Sequence, residues 1–213
     1  MKNIDIEKYE AILFDFDGVL CECMNVKTEA FAQLYEPYGE EIVQKVVKHH
    51  VENGGISRYR KIKLYHEEYL KQPITEQQVE ELAQKFSDLV VEKVIKSNWV
   101  KGAKEFLEKY HQKINMYIIS GTPEKELKKI VQQRDMDKYF KGVYGSPILK
   151  PDHAIRIISE HNYDPEKVLY IGDSLSDYKD SQKAQIPFLG RTLPDEESFF
   201  PDDIPKIMDF TDL

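Results

Sequence analysis

The chain has 213 residues, 41% of them apolar and 32% charged, with a net charge of -8. That balance supplies a core for one large domain, or for a domain with a smaller one inserted, and argues against disorder. The negative charge excludes broad, sequence-independent nucleic-acid binding, the longest apolar runs fall short of a membrane span, and Met1–Glu7 lacks the apolar core of a secretory signal.

Ala11 to Phe14 is the first predicted strand, and Asp15-Phe16-Asp17-Gly18-Val19-Leu20 comes directly after it. If the strand continues, its period of two sends Asp15 and Asp17 the same way, so both can address one point. A nucleophile and a proton donor flanking a phosphoryl group need that arrangement, with a hard cation between them. Gly18 permits a sharp turn. Paired acids also occur in calcium loops, so this pattern alone is weak and gains its meaning from the motifs downstream. Cys21 and Cys23 are the only cysteines. They lie too close for a useful staple and lack the second pair of a zinc site. They read as small packed side chains in a reducing, cytoplasmic setting.

From residue 23 to 98 no strand is predicted. Thr28 to Tyr35, Glu40 to Val51, Ser57 to Leu70 and Glu76 to Lys96 carry helix-period apolar residues, with Gly54-Gly55 and Lys71-Gln72-Pro73 as punctuation. A crossover between parallel strands needs only about a dozen residues. The excess predicts an inserted helical cap over residues 23–98, on a core of 1–22 and 99–213. Ser57 is a predicted N-cap, and Arg58 and Lys61 share a helical face with Tyr65. That face is either a solvated basic surface or a reader of substrate hydroxyls or of a second anionic group. Arg58 is the better candidate for the latter because its fork suits two-point contacts. His49-His50 reads as a surface pair on a helix, and Trp99 as a packing residue at the junction of core and cap.

Beyond Trp99 short apolar runs alternate with helical patterns, the signature of a parallel sheet with crossover helices. Strands are predicted at Met116 to Ile119, Val143 to Tyr144, Val168 to Ile171 and Phe188 to Leu189. Helices are predicted near Ala103 to Tyr110, Pro123 to Arg134, His153 to His161 and Leu175 to Ala184. Ser120-Gly121-Thr122-Pro123 ends a strand with hydroxyls, a glycine and a proline at a predicted first helical position, a loop able to grip phosphate oxygens. Thr122 could equally be a plain N-cap. Lys150 falls on a predicted turn just before a helix, where a fixed ammonium can hold a nucleophile and balance phosphoryl charge. Val168-Leu169-Tyr170-Ile171-Gly172-Asp173 again ends a strand in an acid, with Asp177 four residues on. Asp173 and Asp15 together suit magnesium, which takes few protein carboxylates. Asp177 fits either a place near that metal or a capping box with Ser174. The tail Pro194 to Leu213 is acidic and carries no catalytic candidate.

All four motifs fall at the carboxyl ends of predicted strands, the edge where open α/β sheets bind ligands. Their order, Asp-x-Asp-Gly-Val-Leu, then Ser-Gly-Thr, Lys-Pro and Gly-Asp-x-x-x-Asp, resembles the haloacid dehalogenase-like superfamily of aspartate-nucleophile phosphohydrolases, across the whole chain. The resemblance implies a Rossmann-like parallel α/β core with a helical cap inserted after the first motif, as in phosphoglycolate-phosphatase-like and β-phosphoglucomutase-like members. It implies Asp15 as nucleophile, Asp17 as acid and base, and Ser120 with Gly121 and Thr122 on phosphate. Lys150 would orient Asp15, and Asp15, Asp173 and the Asp17 carbonyl would hold Mg2+ with Asp177 nearby. The expected enzyme is a magnesium-dependent phosphatase, monomer or weak homodimer, for a small phosphorylated metabolite such as a sugar phosphate. A phosphomutase using the same residues, or a non-catalytic binding protein, are the alternatives. A dehalogenase is disfavoured by Asp17.

Overall fold

Strand β1, Ala11–Phe14, is apolar at all four positions and fully buried, as the centre of a parallel sheet requires. The computed structural model describes residues 4–193 and 198–213. Met1–Asn3 and Pro194–Glu197, which belong to the expected N-terminus and acidic tail, lie outside the described residues. Among those described, β1 is joined by β2 (Asn115–Pro123), β3 (Gly142–Ser146), β4 (Val168–Gly172), β5 (Phe188–Arg191) and β6 (Lys206–Ile207). All neighbours pair in parallel in the order β3-β2-β1-β4-β5-β6. This is the Rossmann-like α/β order, and its direction reverses between β1 and β4, which opens a crevice at their carboxyl ends.

The period of two sorts the sheet into two faces. Ile12, Phe14, Met116, Ile118, Leu169 and Ile171 face one core, where α5 (Ala103–Tyr110) and α6 (Glu124–Gln133) pack. Ala11, Leu13, Tyr117, Ile119, Val168 and Tyr170 face the other, covered by α7 (Lys150–His161) and α8 (Leu175–Ala184). The tail contributes what the sequence did not announce. β6 extends the sheet, and Phe210 sits 5.2 Å from the Phe106 ring and 6.3 Å from Phe14.

Between β1 and α5 the chain forms α1 (Met24–Tyr35), α2 (Glu40–Glu52), α3 (Arg58–Leu64) and α4 (Glu76–Lys96), with no named strand among the described residues. The helix expected over Ser57 to Leu70 is shorter, because the chain widens into a π-type turn at Tyr65–Tyr69. One apolar cluster runs from the sheet through Phe31, Val46, Tyr65 and Phe86 of this insertion. Its two connections to the core touch where Cys21 and Trp99 form an antiparallel bridge. Arg134, at the end of α6, donates to the carbonyls of Val94, Ile95 and Ser97 and lies over the Trp99 ring, closing the free end of α4. No helix among the described residues is long and apolar enough to cross a membrane.

Candidate active site

β1 ends at Phe14, so Asp15 is the first residue beyond it, and its N–H still bonds the Ile171 carbonyl of β4 at 2.9 Å. That bond continues the sheet and aims the Asp15 carboxylate into the crevice. Oδ1 accepts from the Phe16 N–H at 2.8 Å and meets Lys150 Nζ at 2.9 Å. Burial pushes the Asp15 carboxyl up to about 7, against the pull of Lys150 and with the charges of Asp177 and Asp17 adding to the rise.

Asp17 comes at the next same-facing position and is gripped from several sides. Its Oδ2 accepts from Lys27 Nζ at 2.5 Å and from the hydroxyls of Thr122 at 3.2 Å and Ser120 at 3.4 Å. Its Oδ1 accepts from the Cys23 thiol at 3.0 Å. Burial acts upward on this carboxyl, but the Lys27 charge and the Lys27 and Cys23 hydrogen bonds outweigh it, holding Asp17 below the usual range. Neither Lys27 nor the role of Cys23 was read from the sequence. Lys27 did carry a signal, since with Ala30, Phe31 and Tyr35 it falls on the buried face of α1. Cys21 and Cys23 are free and buried, as expected of packed thiols; Cys23 is also a hydrogen-bond donor.

Three expected local geometries differ. Pro123 is not the first helical residue. β2 runs through the Ser120–Pro123 motif, Pro123 pairs with Ser146 of β3 after a register shift, and α6 begins at Glu124. Thr122 caps no helix, because its hydroxyl is spent on Asp17 and on Lys27 at 2.9 Å. Lys150 is not on a turn before a helix but is the first residue of α7, whose start Pro151 favours. From there its buried Nζ bridges Asp15 and Asp177, the latter at 2.7 Å. Burial acts downward on this amine, and the two carboxylates outweigh it and keep it charged.

β4 ends at Gly172 and delivers Asp173. Asp15, Asp173 and Asp177 each bring one carboxylate oxygen within 4.8 Å of the others. Asp177 is fully engaged by protein donors. Lys150 and the Tyr170 hydroxyl reach Oδ1, and the N–H and hydroxyl of Ser174 reach Oδ2, completing the capping box of α8. Asp173 Oδ1, by contrast, is enclosed and has no hydrogen-bond partner among the described residues. Burial first, and then the charges of Asp15 and Asp177, lift the Asp173 carboxyl well above its ordinary value. An orphaned carboxylate oxygen beside a second carboxylate fits a small divalent cation.

The insertion closes over this edge. A Cβ on Gly55 would lie 2.8 Å from Lys150 Nζ, and one on Gly121 would lie 2.6 Å from the Gly55 carbonyl oxygen, so both glycines permit direct contact. Arg58 and Lys61 are not on a solvated face, being only 4% and 1% exposed. Both line a cavity of ≈ 20 Å³ with Asp17, Lys27, Gly121 and Thr122. The Arg58 fork is spent on Glu126 of α6, which both guanidinium nitrogens reach, and on Ser87 of α4. His49-His50 is not a surface pair either. His50 continues the buried face of α2 from Val46, and His49 Nδ1 meets the Tyr65 hydroxyl at 3.1 Å.

At the switch point of a Rossmann-like sheet stand Asp15, Asp17, Asp173 and a buried Lys150, an acid-rich site of the kind a hydrolase needs. The model of the haloacid dehalogenase-like hydrolases matches residues 12–190, and the chain belongs to that family. It is 27% identical over 190 residues to the phosphorylated carbohydrates phosphatase of Thermotoga maritima, covering 83% of this chain and 82% of the other. Among solved structures it is similar to β-phosphoglucomutase of Clostridium difficile (TM-score 0.73, 17% identity, 87% of this chain and 85% of that one). It is also similar to the haloacid dehalogenase-like hydrolase YfnB of Bacillus subtilis bound to magnesium (TM-score 0.67, 19% identity, 94% and 95%).

Proposed function

We propose that this enzyme is a magnesium-dependent phosphatase for a small phosphorylated carbohydrate, acting through an aspartyl phosphate on Asp15. The observation that carries the reading is the Asp15 carboxylate held 2.9 Å from Lys150, beside Asp173, whose Oδ1 has no partner among the described residues, with Asp17 and Ser120 alongside. In the first half-reaction an Asp15 oxygen attacks phosphorus, the bond to the leaving oxygen breaks, and Asp17, which must first take up a proton because Lys27 and Cys23 favour its ionised form, supplies that oxygen's proton. In the second, Asp17 takes a proton from the water that attacks the acyl phosphate, releasing Asp15 and inorganic phosphate. Ser120 and the Gly121 N–H would hold phosphoryl oxygens, with Thr122 bracing Ser120 through its N–H, which donates to Oγ at 3.1 Å, and Lys150 keeps Asp15 oriented. Magnesium held by Asp15, Asp173 and the Asp17 carbonyl would neutralise phosphoryl charge, with Asp177 acting through Lys150. Residues 23–98 act as a cap over the core of residues 1–22 and 99–213, with Arg58 and Lys61 at the substrate-facing boundary.

The test is phosphate release from a panel of sugar, acid and nucleotide monophosphates, with magnesium or with a chelator, and Asp15→Asn alongside. Magnesium-dependent release that the variant loses supports the reading. Conversion of a sugar phosphate to its isomer without phosphate release would make the protein a mutase.

A further inference from the structure

Among the described residues, the buried cations around the cleft are paired with one exception. Lys27 pairs with Asp17, Arg58 with Glu126, and Lys150 with both Asp15 and Asp177. Lys61 has no carboxylate within ion-pair distance among the described residues. Its Nζ lies 2.7 Å from His50 Nδ1 and 5.7 Å from the centre of the Phe31 ring, and 1% of the residue is exposed. With Lys61 as an ammonium, His50 Nδ1 accepts from it and the ring proton lies on Nε2. Nε2 is itself buried and without a partner. One donor, His50 Nε2, therefore has no partner among the described residues, and Lys61 has only a neutral ring nitrogen for its charge. Both residues line the insertion side of the cavity that Asp17, Gly121 and Thr122 line from the core. An unpaired buried cation is costly to keep, and a bound anion would remove that cost.

The direction of the cavity matters as much as its charge. On the hydrolase reading, on which this inference rests, Asp17 protonates the leaving oxygen. The leaving group then lies on the Asp17 side, which is the side this cavity occupies. We infer that Lys61, assisted by His50, selects phosphate esters whose leaving group carries a second anionic group, a carboxylate or a second phosphoryl. Arg58 does not do this work, because Glu126 and Ser87 already take its fork. The cavity of ≈ 20 Å³ has room for about one water-sized group. The insertion therefore lifts to admit substrate and settles with the anion against Lys61. Burial, and then the nearby charges of Lys27 and Lys150, push the Lys61 ammonium below its ordinary range, and an anion bound beside it acts in the opposite direction.

The test uses matched pairs of phosphate esters. Phosphoglycolate is compared with 2-hydroxyethyl phosphate for the carboxylate, and a sugar bisphosphate with the corresponding monophosphate for the second phosphoryl. Wild-type enzyme is expected to prefer the anion-bearing member of one pair by about tenfold or more in kcat/KM, and the pair that responds names the anion. Lys61→Met, close in length and without charge, should collapse that preference by roughly 10- to 100-fold, the size of one charge-assisted contact. Lys61→Arg should restore part of it. Equal rates within both pairs, or a Lys61→Met loss equal on all four esters, would overturn the assignment. If no ester releases phosphate, the hydrolase reading fails by itself. Calorimetric binding of the same pairs to wild type and Lys61→Met then decides Lys61 without turnover, equal affinities overturning it.

Discussion

The core and the helical insertion handle their buried charge in opposite ways. In the core Asp15, Asp17 and Asp173 follow strand ends, where the sheet sets their position, and Asp177 is fixed in the first turn of α8. The Asp15 N–H is still tied to β4, and Asp177 is locked by four donor contacts. In the insertion the buried charges are basic, and those with ionic partners find them across the boundary. Lys27 of α1 reaches Asp17, and Arg58 of α3 reaches Glu126. On the proposed function, the difference separates chemistry from selection. A sheet edge fixes reacting groups relative to one another, whereas the insertion meets the core through ion pairs, glycine contacts and a shared apolar cluster.

The sharpest way to break this division is on the core side. Asp15→Asn should lower turnover by about 10³-fold or more while the thermal midpoint stays within a few degrees, because Asn keeps the shape but cannot form the acyl phosphate. Residual activity near wild type would remove Asp15 as nucleophile.

Second in size is the metal. Magnesium at about 100 times its dissociation constant stabilises by about 2.7 kcal/mol, which is several degrees for a chain of this length. Asp173→Asn should abolish that shift. Protons compete with the metal at Asp15, whose carboxyl stands at about 7. The shift should therefore grow from pH 6 to pH 8 as this carboxyl ionises. A shift that survives in Asp173→Asn would place the ion elsewhere.

Glu126→Ala probes the boundary itself. It leaves the buried Arg58 guanidinium with only the Ser87 hydroxyl as a partner, a change that costs roughly 3 kcal/mol where the charge stays buried. The denaturant midpoint should fall, and KM should rise more than kcat falls, because closure weakens while the strand-end acids stay in place. A kcat loss as large as that of Asp15→Asn would mean that α6 positions the chemistry directly.

Gly55→Ala is the gentlest. The new methyl would meet Lys150, Asp177 and Ser176 at 2.8 to 2.9 Å. These are side-chain tips, so the loop can lift slightly. We expect about a 2- to 10-fold loss of kcat/KM with the midpoint almost unchanged, read by steady-state kinetics and melting. No loss at all would show that closure at this loop is not needed.

Much of the site was legible because its acids belong to local patterns. An apolar strand followed by an acid names Asp15 and Asp173, and the alternation of strands and helices places both at one edge. Asp177 was ambiguous in sequence, where metal neighbour and helix cap look alike. The Ser174 capping box and the contacts of Asp177 with Lys150 and Tyr170 give it a positioning place. Lys27, Glu126 and the burial of His50 stayed hidden for another reason. Each has its meaning only through a partner far along the chain, Asp17, Arg58 and Lys61 respectively. β6 was missed because a two-residue strand carries too short a pattern to be read.

The sequence by itself determined the parallel α/β core, the helical run between β1 and β2, and the order of acids, hydroxyls and lysine along the sheet edge. Those features come from periodicity and from residue types at strand ends, which are local. Only the tertiary structure decided which cations are paired and which is left over. Pairing depends on where α1, α3 and α6 meet in space, and on a buried environment that penalises a charge without a partner.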